Sequence, residues 1–356
     1  MSATSGSSGH PGVFLFNRAE WIAVLASFAH AREWGAVRLE LTRRVKTATV
    51  ASTSAFHMST RVNAMAHSWW MPEIRLAASE PVETIVERLN SWQPEVLIAY
   101  ASMARILADE QLAGRLQIRP RAVFTSSEVL TEQTRRRMVL AWGDRLFNQY
   151  AATESGSLAA ECNQHQGMHL MEDLVIFEVV DQDNRPVAPG VYGDKLLITV
   201  LGSRTQPLIR YELSDSVRLS LNACSSGHPF ALIDAIQGRE ENVLSFPGVA
   251  GGVVSVQPLV FSRVMDMLPV SGWQVTQETN RLRVLLSGVR GSFEDEALAD
   301  SMQRALAEQG AMVAHVEVQR VTTIPKTAAG KAPLITSNLS GSSPLSDMAD
   351  SMVRMQ

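Results

Sequence analysis

The apolar positions Trp21, Val24, Leu25 and Phe28 fall on one helical face, and Asn17 followed by Glu20 forms a capping-box pair, so a first helix is predicted to run to about Trp34. After it the pattern alternates. Short β-type runs at Thr47–Ala51, 74–78, Val96–Tyr100, 122–125 and 145–149 are separated by helical spacings such as Val82, Ile85, Val86 and Leu89. This alternation predicts an α/β domain with a helix-covered, mainly parallel sheet. From Leu174 the rhythm changes to antiparallel hairpins over 174–180, 195–201 and 208–213, with turns through Asp183-Asn184-Arg185-Pro186 and Pro189-Gly190. Beyond residue 238 a small α+β unit is predicted: helix 257–268, strands 273–278 and 282–287, helix 293–309 and strand 314–321. From Ser337 the chain is rich in Ser, Met and Asp without a period, which predicts a disordered tail. The expected division is 1–238, 239–336 and 337–356.

Composition changes this picture little. With 356 residues, 46% apolar and 19% charged, the chain has material for a sizeable core and two domains. A net charge of −4 and no long basic run give no electrostatic reason to expect nucleic acid or an anionic membrane as partner. No apolar run approaches a membrane span, and Ser and Gly stand where a signal peptide would carry a basic and an apolar region, so a cytoplasmic location is expected. Two cysteines, Cys162 and Cys224, make no disulfide framework.

Candidate chemistry gathers in short stretches. In Asn148-Gln149-Tyr150-Ala151-Ala152-Thr153-Glu154-Ser155-Gly156, Tyr150 offers a flat face to a purine, Thr153 a hydroxyl to a phosphate oxygen and Glu154 a hard oxygen to Mg²⁺. A buried tyrosine followed by a helix cap would give the same string. The opening stretch, with Ser5, Gly6, Ser7, Ser8 and Gly9 before His10, has the composition of a phosphate-wrapping loop and equally that of a frayed end. It lacks Gly-Lys-Ser/Thr, which argues against a P-loop NTPase. Ligands of parallel sheets sit beyond the carboxyl ends of the strands, where residues 52–57, 99–102, 125–128 and 150–154 fall. Cys162-x-x-His165 and Cys224-x-x-x-His228 have the short spacing of tetrahedral zinc sites. Two free thiols account for them equally well.

Taken in order, these stretches resemble the adenylate-forming acyl-ligase superfamily, and in detail its phenylacetate–CoA ligase-like branch. The opening Ser/Gly/Thr loop resembles the family's phosphate loop. Residues 150–154 resemble its aromatic-Gly-x-Thr-Glu motif with Ala151 for glycine, and Arg210-Tyr211-Glu212-Leu213-Ser214-Asp215 its Arg-Tyr-x-x-x-Asp motif. Gly238-Arg239-Glu240-Glu241-Asn242 resembles the hinge, with Glu241 and Asn242 where two aspartates are usual, and residues 324–331 the C-terminal catalytic loop that ends here in Lys331. Ser126-Ser127-Glu128 resembles the adenine-contacting loop, and His169-Leu170-Met171-Glu172-Asp173 a segment of this branch.

The resemblance implies ATP-dependent activation of a carboxylic acid, expected to be an aromatic one, as acyl-AMP with loss of pyrophosphate, then transfer to coenzyme A or a carrier-protein thiol. It assigns the ribose to Asp215, Mg²⁺ to Glu154, charge compensation to Arg239 and Lys331, and a contact near the acyl carboxylate to His57. The attacking carboxylate is already ionised, so no general base is needed. Trp69-Trp70-Met71 could line an acyl pocket or belong to the core. In some relatives of the branch the cysteine region holds a structural metal, which implies Zn²⁺ on Cys162, His165, Cys224 and His228, although Ser226 replaces the second cysteine of the usual Cys-x-Cys. The small domain of the family turns about the hinge between the two half-reactions. Antibiotic biosynthesis and a homodimer fit the same resemblance. The segment usual before the phosphate loop is expected to be absent, giving an N-terminally truncated fold, and His10 stands where many relatives have lysine. A catalytically reduced nucleotide- or acyl-adenylate-binding remnant is therefore the alternative.

Overall fold

A computed structural model describes residues 2–3, 12–35, 37, 44–52, 58, 60–62, 71–239, 243–249, 251–265, 268–270, 272–279, 281–289, 292–325 and 332–339. Of Gln237, Gly238 and Arg239 only the backbone is described. The expectations for Ser5, Gly6, Ser7, Ser8, Gly9, His57, Trp69, Trp70, Glu241, Asn242 and Lys331 lie outside these residues.

The chain divides into two compact units, the second starting at Asn242. The first opens with a short antiparallel pair, β1 (Ser2–Ala3) and β2 (Val13–Phe14). Helix α1 (Arg18–Trp34) begins with the predicted capping box: Glu20 N–H donates to Asn17 Oδ1 at 3.0 Å, and Asn17 N–H to Glu20 Oε2 at 2.7 Å. There follow β3 (Thr47–Ala51), β4 (Glu73–Ala77), α2 (Val82–Trp92), β5 (Val96–Tyr100), α3 (Ala101–Leu112), β6 (Ala122–Ser126), α4 (Glu132–Trp142) and β7 (Leu146–Ala152). An antiparallel region completes the unit with β8 (Gly156–Glu161), β9 (Met168–Leu170), β10 (Val175–Val180), β11 (Lys195–Val200), β12 (Tyr211–Leu213), β13 (Asp215–Leu219) and β14 (Leu232–Arg239).

Nine of these strands form one sheet in the order β13-β14-β9-β8-β7-β6-β5-β3-β4. From β4 to β7 the pairings are parallel, and from β7 to β13 antiparallel. Alternate residues of the parallel strands feed two cores, as period-two side chains must. Val123 joins Ile85, Leu89, Met103, Leu107 and Met138 under α2, α3 and α4, while Ala122 and Phe124 join Val37, Val45 and Phe147 on the other face. The separate three-stranded sheet β10-β11-β12 packs through Val175, Val179, Leu196 and Ile198 onto the antiparallel end, against Leu158, Val217 and Ile233.

The second unit holds the hairpin β15 (Leu244–Pro247) and β16 (Val253–Val256), then α5 (Pro258–Met265), β17 (Gly272–Glu278), β18 (Arg281–Ser287), α6 (Asp295–Glu308), β19 (Val316–Val321) and β20 (Ile335–Ser337). Its four-stranded sheet, ordered β19-β18-β17-β20, packs Val275, Val284 and Leu286 against Phe261, Met265, Leu298, Met302 and Leu306.

Three differences from the expected elements bear on the site. The strand expected at 145–149 continues through Ala152, so Tyr150 lies within a strand instead of past its end. The strand expected at 208–213 is cut to Tyr211–Leu213 because Arg210 takes a left-handed backbone, φ 48°. Ser337, expected to start the tail, closes β20 and pairs with Gln277 of β17. No described helix is long and apolar enough to cross a membrane.

Candidate functional site

Because β3, β5, β6 and β7 are adjacent and parallel, their carboxyl ends share one edge, as the alternation required. Side chains bind this edge together. Tyr100 Oη, at the end of β5, accepts from Ser52 N–H after β3 at 2.9 Å, and burial pushes its pKa up. Glu128 Oε2, past β6, accepts from Ser102 N–H in the first turn of α3 at 2.8 Å, where the helix dipole favours a carboxylate. Ser126 ends β6, and Ser127 takes a left-handed backbone at φ 68°, a strained conformation for a serine. Thr125 Oγ1 donates to Asn148 Oδ1 at 3.1 Å, joining β6 to β7.

Thr153 and Glu154 lie half-buried in the tight turn between β7 and β8. Gly156 ends that turn at φ 95°, and a Cβ there would lie 2.9 Å from Ser27 Oγ and 3.1 Å from Val24 Cγ1 of α1. Glycine is therefore demanded twice, by backbone and by packing. Ser27 Oγ in turn accepts from Ser157 N–H at 3.0 Å, so α1 braces the turn from beneath. At the strand's other end, buried Glu161 accepts from Asn148 N–H at 3.0 Å and pairs with Arg135 of α4.

Across the antiparallel end, Tyr150 Oη donates to Asp215 Oδ2 at 2.8 Å, joining two predicted nucleotide residues that stand 65 positions apart. Asp215 is buried at the start of β13, opposite Arg239 at the end of β14. Arg210, from the same motif as Asp215, turns to Glu178 at 3.1 Å, and Tyr211 packs edge-on against Phe14.

The cysteines meet as their spacing allows, with a different histidine. Ligand atoms of Cys162, His169 and Cys224, all buried, lie within 4.8 Å of one another, the two Sγ atoms being 3.6 Å apart. His165 is elsewhere: its Nδ1 lies 3.5 Å from Glu161, which raises its pKa, and its ring packs on Phe147. His228 is beside the cluster, its ring centroid 4.9 Å from that of His169. Ser226, in the place of the missing cysteine, brings Oγ to 3.4 Å from His169 Nε2. Sulfur accepts backbone N–H from Gln164 and from Ser226, each at 3.5 Å. Burial pushes the Cys162 thiol up. Burial would do the same to Cys224, but the Ser226 hydroxyl and N–H bring it below the usual thiol value. His169 is lowered by burial and then by His228, which keeps its imidazole neutral. Trp34, at the end of α1, packs on His169 and His228. Sequence spacing pointed to His165 because it is three residues from Cys162; the β8–β9 hairpin instead brings His169 back beside it.

No family model matches the chain. The phenylacetate-coenzyme A ligase of Thermus thermophilus is 30% identical over 196 residues, covering 52% of this chain and 42% of that protein. The phenylacetate-coenzyme A ligase of Pseudomonas putida is 26% identical over 173 residues, covering 47% and 39%. The matches thus span less than half the length of these curated relatives. Among solved structures, a 2-hydroxyisobutyryl-CoA ligase in the postadenylation state superposes with a TM-score of 0.75 at 18% identity, over 100% of this chain and 76% of that one, a likeness of fold. The chain is thus similar in sequence to phenylacetate-coenzyme A ligases over about half its length, and in fold to a solved CoA ligase over all of it.

Proposed function

We propose that the chain activates a carboxylic acid, of an aromatic class, with ATP and hands the acyl group to a thiol. The observation that carries this is the Tyr150–Asp215 hydrogen bond, which unites an aromatic face and a ribose-type carboxylate on the strand that leads into the Thr153-Glu154 turn. Phenylacetate-coenzyme A ligases as relatives favour an aryl acid and coenzyme A over an aliphatic acid or a carrier protein.

A carboxylate oxygen of the acid attacks the α-phosphorus of ATP, and pyrophosphate leaves with the electron pair of the broken P–O bond. The thiolate of the acceptor then attacks the acyl carbon, and AMP leaves. The chain's own part is to hold the adenosine between Tyr150 and Asp215 and to present Thr153 to the phosphates. Mg²⁺ bound at Glu154 would neutralise phosphate charge, and the half-buried carboxylate beside a hydroxyl fits a hard cation. Arg239 and Lys331 are the cations assigned to the same task, and His57 to the acyl carboxylate.

The buried cluster supports a second bound metal, with a structural role. Two sulfurs and a neutral imidazole, with N–H groups directed at both sulfurs, are the donor chemistry of Zn²⁺, and His228, whose ring lies beside that of His169, is the fourth ligand proposed. His165 is not among the proposed ligands.

ATP–pyrophosphate exchange with a panel of aryl and aliphatic acids, and mass detection of the acyl-AMP, tests the proposal. Exchange with an aryl acid is the expected result. Binding of AMP with no exchange for any acid would overturn it in favour of a nucleotide-binding remnant.

A further inference from the structure

In the sheet order β13-β14-β9-β8-β7, four strand-to-strand steps separate Asp215 on β13 from Tyr150 on β7. At about 4.8 Å per step, a flat sheet would hold these strands roughly 19 Å apart. The hydroxyl nevertheless reaches the carboxylate at 2.8 Å, so the antiparallel end curls enough to bring its outermost strand within side-chain reach of Tyr150. Register shifts accompany the curl on both sides of the bond. The β7–β8 register shifts between Tyr150 and Ala151, and the β13–β14 register shifts between Ser216 and Val217, one residue past Asp215's neighbour. Bulges of this kind bend a strand and re-aim the side chains beside them.

The carboxylate is thus fixed from several directions before any nucleotide arrives. Its backbone is paired with Arg239, the adjacent Ser216 donates its hydroxyl to Gly193 O at 2.7 Å, and Tyr150 holds Oδ2. A carboxylate oxygen accepts along its lone-pair directions, so the bond from Tyr150 sets the plane in which the Asp215 carboxylate presents its oxygens to a ribose. The ring of Tyr150 needs no hydroxyl to offer a flat face to a purine. Its oxygen serves a different end.

The geometry points to Tyr150 as a positioning residue whose hydroxyl orients the Asp215 carboxylate, and through it sets the preference for a ribose over a deoxyribose nucleotide. This rests on the assignment of Asp215 to the ribose made above. Correct presentation of an acceptor matters because a site built to receive a hydroxyl loses most when that hydroxyl is absent, and loses less of that advantage when the acceptor is free to turn.

Calorimetric binding of AMP, 2′-deoxy-AMP and 3′-deoxy-AMP to the full chain tests the inference without requiring turnover. The parent is expected to bind AMP about tenfold more tightly than at least one deoxy form. Tyr150→Phe, which keeps the ring, is expected to shrink that ratio to below about threefold by weakening AMP alone. Tyr150→Trp, a second ring without that hydroxyl, should do the same. A purely structural bond would weaken all three ligands together. An unchanged ratio in folded Tyr150→Phe, or equal weakening of all three, overturns the positioning role. A parent that does not discriminate overturns the ribose assignment itself. If neither variant reaches the folded state, judged by the thermal transition, the bond closes the sheet and the positioning role is rejected.

Discussion

Glu154, in the β7–β8 turn, and Glu20, in the first turn of α1, illustrate two uses of a carboxylate. Glu154, half-buried between β7 and β8, is proposed to hold Mg²⁺ against the phosphates of ATP, a contact that matters most as charge moves in the transition state. Glu154→Gln is expected to slow pyrophosphate exchange by about 10²-fold while AMP affinity changes by less than about threefold. Equal loss of both in a folded variant would remove the metal role. Glu20, by contrast, is structural. Burial alone would raise its pKa, but hydrogen bonds from Asn17, Thr205 and Arg204 outweigh burial and bring it from 4.5 down to about 2. A depressed carboxylate adds stability that is complete above 4.5 and is lost as pH falls towards 2. Glu20→Gln should therefore lower stability at neutral pH by roughly 1–3 kcal/mol, with the urea midpoints of parent and variant drawing together as pH falls from 4.5 to about 2. A constant gap across that range would contradict the assignment. The Asn17–Glu20 pair was legible in the sequence because its partners are three residues apart. The bonds to Arg204 and Thr205 were not, since nothing local signals a turn 184 and 185 positions away.

At the scale of elements, the cysteine cluster is assembled by the end of β8, the start of β9, the 224–228 loop and the last turn of α1. Zinc bound there would tie these pieces together, so its loss should be felt as stability before activity. Protein purified without chelator is expected to carry close to one zinc per chain by elemental analysis, and both chelation and Cys224→Ala should lower the thermal midpoint. His165→Ala, outside the cluster, should keep the metal. Metal-free protein, or a Cys224→Ala chain as stable as the parent, would leave two buried thiols and no site. The strands on which this cluster hangs were the ones that periodicity missed. Gly156–Glu161 reads Gly-Ser-Leu-Ala-Ala-Glu, small residues of weak strand preference that are buried along their whole length, so neither β-propensity nor alternation marks them. Their strand state comes from pairing with β7 and β9 and from α1 above them.

For the whole molecule, the chain first passes from one compact unit to the other after Glu241, inside the stretch that resembles a hinge. Lys331 is assigned to the α-phosphate only by resemblance. Lys331→Ala is expected to reduce pyrophosphate exchange by on the order of 10²–10³ while transfer to thiol from supplied acyl-AMP stays nearly intact. Glu241→Pro, which locks φ at the boundary, should slow that transfer as well, a contrast readable by assaying the two half-reactions separately. Normal exchange by Lys331→Ala, or equal loss of both half-reactions in a folded chain, would refute the division of labour.

What the sequence by itself determined is local or periodic. The helical face of α1, the alternation of strands and helices up to β7, the hairpin rhythm from β10 and the α+β order of the second unit all follow from side-chain spacing within a few residues, where the backbone repeat decides which side chains share a face. The order of the motifs along the chain carried the resemblance to adenylate-forming ligases, whose fold the chain shares. Tertiary structure alone decided which residues meet: Tyr150 with Asp215, His169 instead of His165 with the cysteines, and Gly156 against Ser27. Each of these depends on how far an antiparallel sheet curls and on which hairpin returns beside which strand. For Tyr150 with Asp215 and for α1 against the β7–β8 turn, they are set by packing between segments 65 to 130 positions apart, and no short window along the chain contains both partners.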